Sequence, residues 1–212
     1  MLSELNIKSE VSNGLDQLIQ NNTEFREFYY KAFDFGDLYL VGGAIRDYAT
    51  NLTPRDLDII INCEPQILSD LLKDYNYKLN RFDGFKIEVN NIEIDIWSIH
   101  SHWAFKENLF ECTFENISKG AFFNFDAITI NLENFELDAD TFIKSYKNRT
   151  LDLNLNEQHV HLNPNPEKNI ARAFRLKQTM NFQFSERLRA YCEYWMDELS
   201  LTENNAMTSL HI

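Results

Sequence analysis

A chain of 212 residues with 44% hydrophobic residues can bury one substantial core, as one large domain or a compact head with a short helical extension, and is no disulfide-stapled miniprotein. Its 33 acidic side chains against 20 basic ones give a formal net charge of −13, which disfavours wrapping a polyanion, because such binding is driven by cations that displace counterions. Cys63, Cys112 and Cys192 are far apart and odd in number, which fits reduced thiols in a cytoplasm; Met1 to Asn22 does not look like a signal peptide, and no apolar run is long enough to span a bilayer.

Residues 14 to 33 read as one or two amphipathic helices, the second opening at Thr23 with Glu24 behind it. Its stripe of Phe25, Phe28, Tyr29 and Phe33 belongs to a core rather than to a base-stacking platform. The run LYLV from Leu38 is a buried strand, and Gly42-Gly43 ends it where a backbone lacking side chains can approach a bulky anion. AIRDYATNL then has helical character. Its first turn would aim free N–H groups and the helix dipole at a polyphosphate, with Arg46 reaching a phosphate and Asp47 a ribose or the loop itself; a plain surface ion pair is the simpler alternative.

After the turn at Thr53-Pro54, DLDIII is a second strand, and period-two alternation sends Asp56 and Asp58 to one face. A strand running into Ile59-Ile60-Ile61 is heading inward, so two like charges at its mouth repel unless a cation sits between them. Pro65 to Tyr75 reads as a helix with Ile67, Leu68, Leu71 and Leu72 inward. FKIEVNNIEIDIW alternates on both sides of Asn90-Asn91, which tolerates the positive φ angles of a two-residue hairpin turn. Such a turn sets Val89 opposite Ile92, Glu88 opposite Glu93, Ile87 opposite Ile94 and Lys86 opposite Asp95. Asp95 is the choice for a third magnesium or manganese ligand, Glu93 the reserve, and Lys86 would keep Asp95 ionised; a charged solvent face is the bland alternative.

SIHSHWAFKENLF follows as a loop and short helix, whose Trp103 and Phe105 join Trp97 either in walling a purine pocket or in ordinary packing. The pairs His100/His102 and His159/His161 lack cysteine partners at metal spacing and read as surface histidines. Phe122 to Leu132 reads as a strand, Ala139 to Tyr146 as a short helix, and Pro166 to Met180 and Ser185 to Leu199 as closing helices. Asn165-Pro166 is a helix cap and first-turn proline. Arg172, Arg175, Lys177, Arg187 and Arg189 form either one basic face or a solvated surface. Thr202 to Ile212 reads as a frayed polar tail.

Taken together, GGAIRD, then DLD with twelve residues between Gly43 and Asp56, then IEIDIW resemble the catalytic head of the nucleotidyltransferase superfamily, in particular class II CCA-adding enzymes and bacterial poly(A) polymerases. FFNFDAITINL is similar to that family's strand ending F-T-x-N-A-L, and NIARAFRLKQTMNFQFS to its neck helix, with Arg172 and Arg175 in the arginine positions. The resemblance implies an α+β, polymerase-beta-like mixed sheet backed by helices over residues 1–160, and a neck-like helical extension over 161–212. It implies a nucleoside triphosphate, ATP among them, on Gly42, Gly43, Arg46, Asp47, Arg172 and Arg175. Magnesium on Asp56 and Asp58, completed by Asp95, would serve an in-line attack on the α-phosphate by an acceptor hydroxyl. A tRNA or other RNA 3′ end, a small molecule and a protein side chain stay open as acceptors, as does a non-catalytic module that binds nucleotide or a protein partner.

The resemblance departs at two places. The family's Arg-Arg-Asp falls on Gly120-Ala121-Phe122, and its Glu-Asp-x-x-Arg falls on Asn165-Pro166-Glu167-Lys168-Asn169, which argues against programmed CCA addition.

Overall fold

A computed structural model describes residues 2–80, 83–163 and 165–209, the last ten of these by backbone only. Two helices open the chain, α1 (Glu4–Asn21) and α2 (Thr23–Phe33). The first begins ahead of the expected residue 14, because the Ser3 hydroxyl accepts from the Asn6 amide and caps it. Asn22 caps the second through its side-chain oxygen, which accepts from the Phe25 amide.

There follow β1 (Leu38–Val41), α3 (Gly43–Ala49), β2 (Asp56–Ile61), α4 (Pro65–Leu72), β3 (Tyr77–Leu79), β4 (Phe85–Val89) and β5 (Ile92–Ser98). A 3-10 turn leads into α5 (Trp103–Lys106), α6 (Phe114–Ile117), β6 (Thr129–Asn131), β7 (Leu137–Asp138), α7 (Asp140–Asn148) and β8 (Thr150–Leu151). The chain closes with α8 (Glu157–Val160), α9 (Pro166–Met180), β9 (Gln183–Phe184) and α10 (Glu186–Ser209).

Among the described residues, a seven-stranded mixed sheet runs in the order β3-β4-β5-β2-β1-β6-β7, with β2 and β5 parallel and the other neighbours antiparallel. The hairpin has the expected register, Val89 to Ile92 through Lys86 to Asp95. Its turn residues have φ of 46° at Asn90 and 65° at Asn91, as the right-handed strand twist requires.

Alternation splits the strands between two cores. Leu38, Leu40, Leu57, Ile59, Ile61, Ile94 and Ile96 face the main core, which α1 to α4 cover with Ile7, Val11, Phe25, Phe28, Ile45, Leu68 and Leu71. Tyr39 and Ile60 point the other way, into a smaller cluster with Ile99, Phe105 and Ile117. That second face is covered only in part, and the acids of β2 lie on it.

Several expectations need correction. Ile67 is 41% exposed, since Leu68, Leu71 and Leu72 already fill the inward side of α4. Phe122 to Leu132 is not one strand: Phe123 makes an isolated bridge to Leu153, residues 124–126 form a 3-10 turn, and regular pairing starts at Thr129. Asn124 causes the interruption, its amide and carbonyl bonding Thr150 and Asp152 instead of a sheet neighbour. Asn165 stands at the N-cap of α9 ahead of Pro166, but its side chain makes no capping bond. α10 continues past Leu199 to Ser209, so most of the stretch expected to fray is helical, while residues 210–212 lie outside the described residues.

Candidate active site

β1 delivers the chain to Gly42, whose φ of 62° and ψ of −118° form a conformation that L side chains rarely adopt. The Gly42 amide donates to the Ile128 carbonyl at 3.0 Å, which locks the turn to the start of β6. α3 has only seven residues, so its dipole offers less than the sequence suggested.

On β2, Asp56, Asp58 and Ile60 share a face. The parallel pairing sets Asp58 beside Asp95 and Asp56 beside Glu93, on strands roughly 4.8 Å apart. Asp58 accepts no hydrogen bond and forms no ion pair among the described residues. Burial, and then the charges of Asp56 and Asp95, push its carboxyl up to about 7. Its neighbours are differently placed: Arg55 holds Asp56, and Lys86 lies 2.7 Å from Glu93 and 3.6 Å from Asp95.

As the side chains stand, no three histidine, cysteine, aspartate or glutamate groups among the described residues form a ready metal cage. The donor set nonetheless suits a hard divalent cation: Asp58 is an unpaired carboxylate beside two others, which the charge of Arg172 only partly offsets, and those two are held by Arg55 and Lys86.

Asp126 has the opposite surroundings. One of its oxygens accepts from Arg46 at 2.6 Å, the other from Arg172 at 2.9 and 3.0 Å. Burial would raise its carboxyl, yet the charges of Arg172 and Arg46 hold it below the usual carboxylate range. Arg46 spends its remaining donors on Asp47, at 2.8 and 2.9 Å.

Three of the residues expected to hold the nucleotide are therefore joined to one another through Asp126, and Arg175 is exposed on α9 away from the cleft. Of the five residues of the candidate basic face, three are engaged elsewhere, while Arg175 and Arg189 are exposed. Arg172 is in the clasp, Arg187 donates to the Leu153 and Leu155 carbonyls, and Lys177 lies over the Phe184 ring at 4.7 Å.

Between the sheet and α9 lies a cleft of about 330 Å³. Gly42, Gly43, Asp58, Asp126 and Arg172 line one part, and Trp97, Trp103 and Phe122 wall the rest. Phe105, expected there, is instead packed in the smaller core. Sequence reasoning missed Asp126 as a site residue, although it is the one acid in the apolar run FFNFDAITINL. It also set aside His102, whose imidazole burial holds neutral by lowering its pKa to about 4.

Residues 38–109 match the family model described as the poly A polymerase head domain. Among solved structures, a CCA-adding enzyme in complex with CTP superposes with a TM-score of 0.59 at 18% identity, over 79% of this chain and 40% of that one. A Thermotoga maritima CCA-adding enzyme complexed with tRNA gives 0.57 at 17%, over 76% and 38%. An apo tRNA-processing enzyme gives 0.57 at 17%, over 79% and 47%. The chain thus spans less than half the length of these structures, and at such identities it is the fold that is shared. No curated protein matches the sequence. The mixed sheet backed by helices is the fold of their head regions.

Proposed function

Starting from a nucleotidyltransferase head-domain-like protein, we propose that the chain transfers a nucleoside monophosphate from a nucleoside triphosphate to an acceptor hydroxyl, with magnesium or manganese on Asp56, Asp58 and Asp95. The observation that carries this reading is Asp58, without an ion pair, beside Asp95 and in the same cleft as the diglycine turn. The acceptor oxygen bonds the α-phosphorus as the α–β bridge breaks, pyrophosphate leaves, and the hydroxyl proton passes to a site carboxylate. A bound divalent ion would supply charge neutralisation on the phosphates. The chain's own groups seat and orient the reactants, which is the larger share of catalysis in phosphoryl chemistry.

The neck-like role of residues 161–212 is part of the same reading, supported by Arg172 of α9 reaching across to Asp126. A cytoplasmic setting rests on three cysteines that are free in the fold. No helix among the described residues is long and apolar enough to cross a membrane.

The test mixes purified protein with labelled triphosphates, magnesium and acceptors including tRNA. Wild type should transfer label and Asp56→Ala/Asp58→Ala should not; equal inactivity of both with every acceptor sinks the proposal. Titration against tRNA at varied salt separates the acceptors, since only a polyanion gives a steep slope. One observation favours a second reading, a module that binds nucleotide without turnover. Arg46 and Arg172 are both occupied by Asp126, leaving the phosphates fewer cations.

A further inference from the structure

At the end of the sheet away from the carboxylates, three titratable side chains from three segments converge. Glu64 stands in the turn between β2 and α4, His100 in the 3-10 turn that follows β5, and Cys112 in the segment between α5 and α6. β2 and β5 are parallel neighbours, with Ile61 beside Ser98, so their C-terminal ends deliver Glu64 and His100 to one place. Asp56 opens β2 at its other end, and a six-residue strand at about 3.3 Å per residue keeps the two regions roughly 20 Å apart.

The Cys112 sulfur lies 3.7 Å from His100 Nδ1, and His100 Nε2 lies 3.5 Å from Glu64 Oε1. A carboxylate can only accept, so it favours the tautomer with the proton on Nε2 and leaves the Nδ1 lone pair turned to the thiol. Nucleophile, base and orienting acid, in that order, form the arrangement that activates a weak nucleophile. The backbone under the base is fixed: the His100 amide donates to Ser98 Oγ at 3.2 Å, and that hydroxyl donates to the Cys63 carbonyl at 2.5 Å. The thiol's segment is fixed too, since the Asn116 side-chain amide and the Thr113 backbone amide both donate to the Glu111 carbonyl, at 3.0 and 2.9 Å.

Burial separates the three thiols. Cys63 and Cys192 are buried, which pushes each up to about 11, whereas Cys112 is exposed. The Cys112 thiol is itself raised, by its partial burial and then by Glu64, so near neutral pH it keeps its proton unless a base takes it. His100 Nδ1 is the base within reach. Neither residue lines the cleft, so Cys112 meets small reagents from solvent rather than a bound nucleotide.

We infer that Cys112 is a reversible thiolation site, at which His100 takes the thiol proton and Glu64 positions the imidazole, with a low-molecular-weight disulfide as co-reactant. The Cys112 sulfur attacks one sulfur of the disulfide, a new S–S bond forms as the old one breaks, and the leaving thiolate takes the proton from His100. One thiol is released for each disulfide consumed, and no other oxidant enters. This chemistry is independent of nucleotidyl transfer.

The test treats the full chain near neutral pH with bis(2-hydroxyethyl) disulfide, an uncharged probe, and follows each cysteine by peptide mass mapping. Wild type should take one adduct, at Cys112, which a dithiol reductant removes. His100→Phe should slow its formation at least about tenfold, a conservative fraction of what a positioned base gives. Glu64→Gln should also slow it, although it removes a charge that opposes thiolate formation, and Glu64→Asp, which keeps the carboxylate, should recover part of the rate. Continued protection of Cys63 and Cys192 shows that a variant is folded; should His100→Phe expose them, His100→Asn takes its place with the same slowing expected. An adduct at Cys63 or Cys192 ahead of Cys112, or a Cys112 rate unchanged by loss of the imidazole, overturns the inference. A Glu64→Gln rate equal to or above wild type overturns the part given to Glu64.

Discussion

Asp58 and Asp126 line the same cleft and are both largely buried, yet their surroundings drive them to opposite states. Asp126 lies between two guanidinium groups and stays ionised; Asp58 lies between two acids and is driven to keep its proton. The Asp126 region is complete without a ligand, a clasp that ties α3 and α9 to the turn between them. The β2/β5 mouth is not complete. Its strand pairing forces acids together, and although Arg55 and Lys86 hold the outer acids, the charge of Arg172 does not offset burial and two acidic neighbours at Asp58.

The largest predicted effect breaks the finished side of this contrast. Asp126→Ala leaves Arg172 unpaired and Arg46 with Asp47 alone, and should cost about 3 kcal/mol in denaturant unfolding, the lower end for the loss of one partner in a buried ionic group because Arg172 is partly exposed. A loss below about 1 kcal/mol would mean that solvent already screens the clasp.

Asp58→Asn should act in the other direction. The folded carboxyl keeps its proton to about pH 7, whereas the unfolded chain releases it near pH 4. The folded state therefore binds the extra proton in that window, so metal-free stability falls as pH rises from about 4 to about 7 and stays lower above it. Asn at this position removes that slope and should stabilise metal-free protein at pH 7.5 by on the order of 2 kcal/mol, allowing for solvent at the cleft floor. On the proposed reading magnesium should raise the melting temperature of wild type, and the same change should abolish both that rise and nucleotidyl transfer. A variant less stable than wild type in chelator would show that Asp58 is already compensated.

These two sites differed in how well the sequence displayed them. Asp56, Asp58 and Asp95 were legible because strand periodicity and a two-residue hairpin fix which face each side chain takes, and the observed registers agree. Gly42 was legible because glycine before a helix signals a special backbone. Asp126 was hidden in an apolar run that reads as continuous strand, and its partners lie 80 and 46 residues away in the chain. Local pattern carries no trace of such a contact. For the same reason Arg46 and Arg172 looked like free phosphate ligands. His102 was set aside because its burial depends on Gly120, which stands eighteen positions later and touches it only in the fold.

A milder change sharpens the clasp. Arg172→Met leaves Asp126 with Arg46 alone, and since Arg172 is partly open to solvent, about 1–2 kcal/mol should be lost at neutral pH. Because the folded carboxyl is held below its unfolded value, its contribution is present above that value and disappears as pH falls. The variant should accordingly begin acid unfolding at a higher pH than wild type. An unchanged acid limb would assign the ionised state of Asp126 to Arg46 alone.

The smallest effect on stability tests the unfinished mouth. Arg55 is 79% exposed in its side chain and pairs with Asp56 at the surface, so Arg55→Met should change unfolding free energy by less than about 1 kcal/mol. Its consequence for a cation runs the other way. If Arg55 and the divalent ion compete for Asp56, removing the arginine should strengthen manganese binding read by paramagnetic broadening, while Asp58→Asn should weaken it. If Arg55→Met weakens manganese binding instead, the arginine orients Asp56 toward the ion, and the surface pair belongs to the site rather than standing in for its metal.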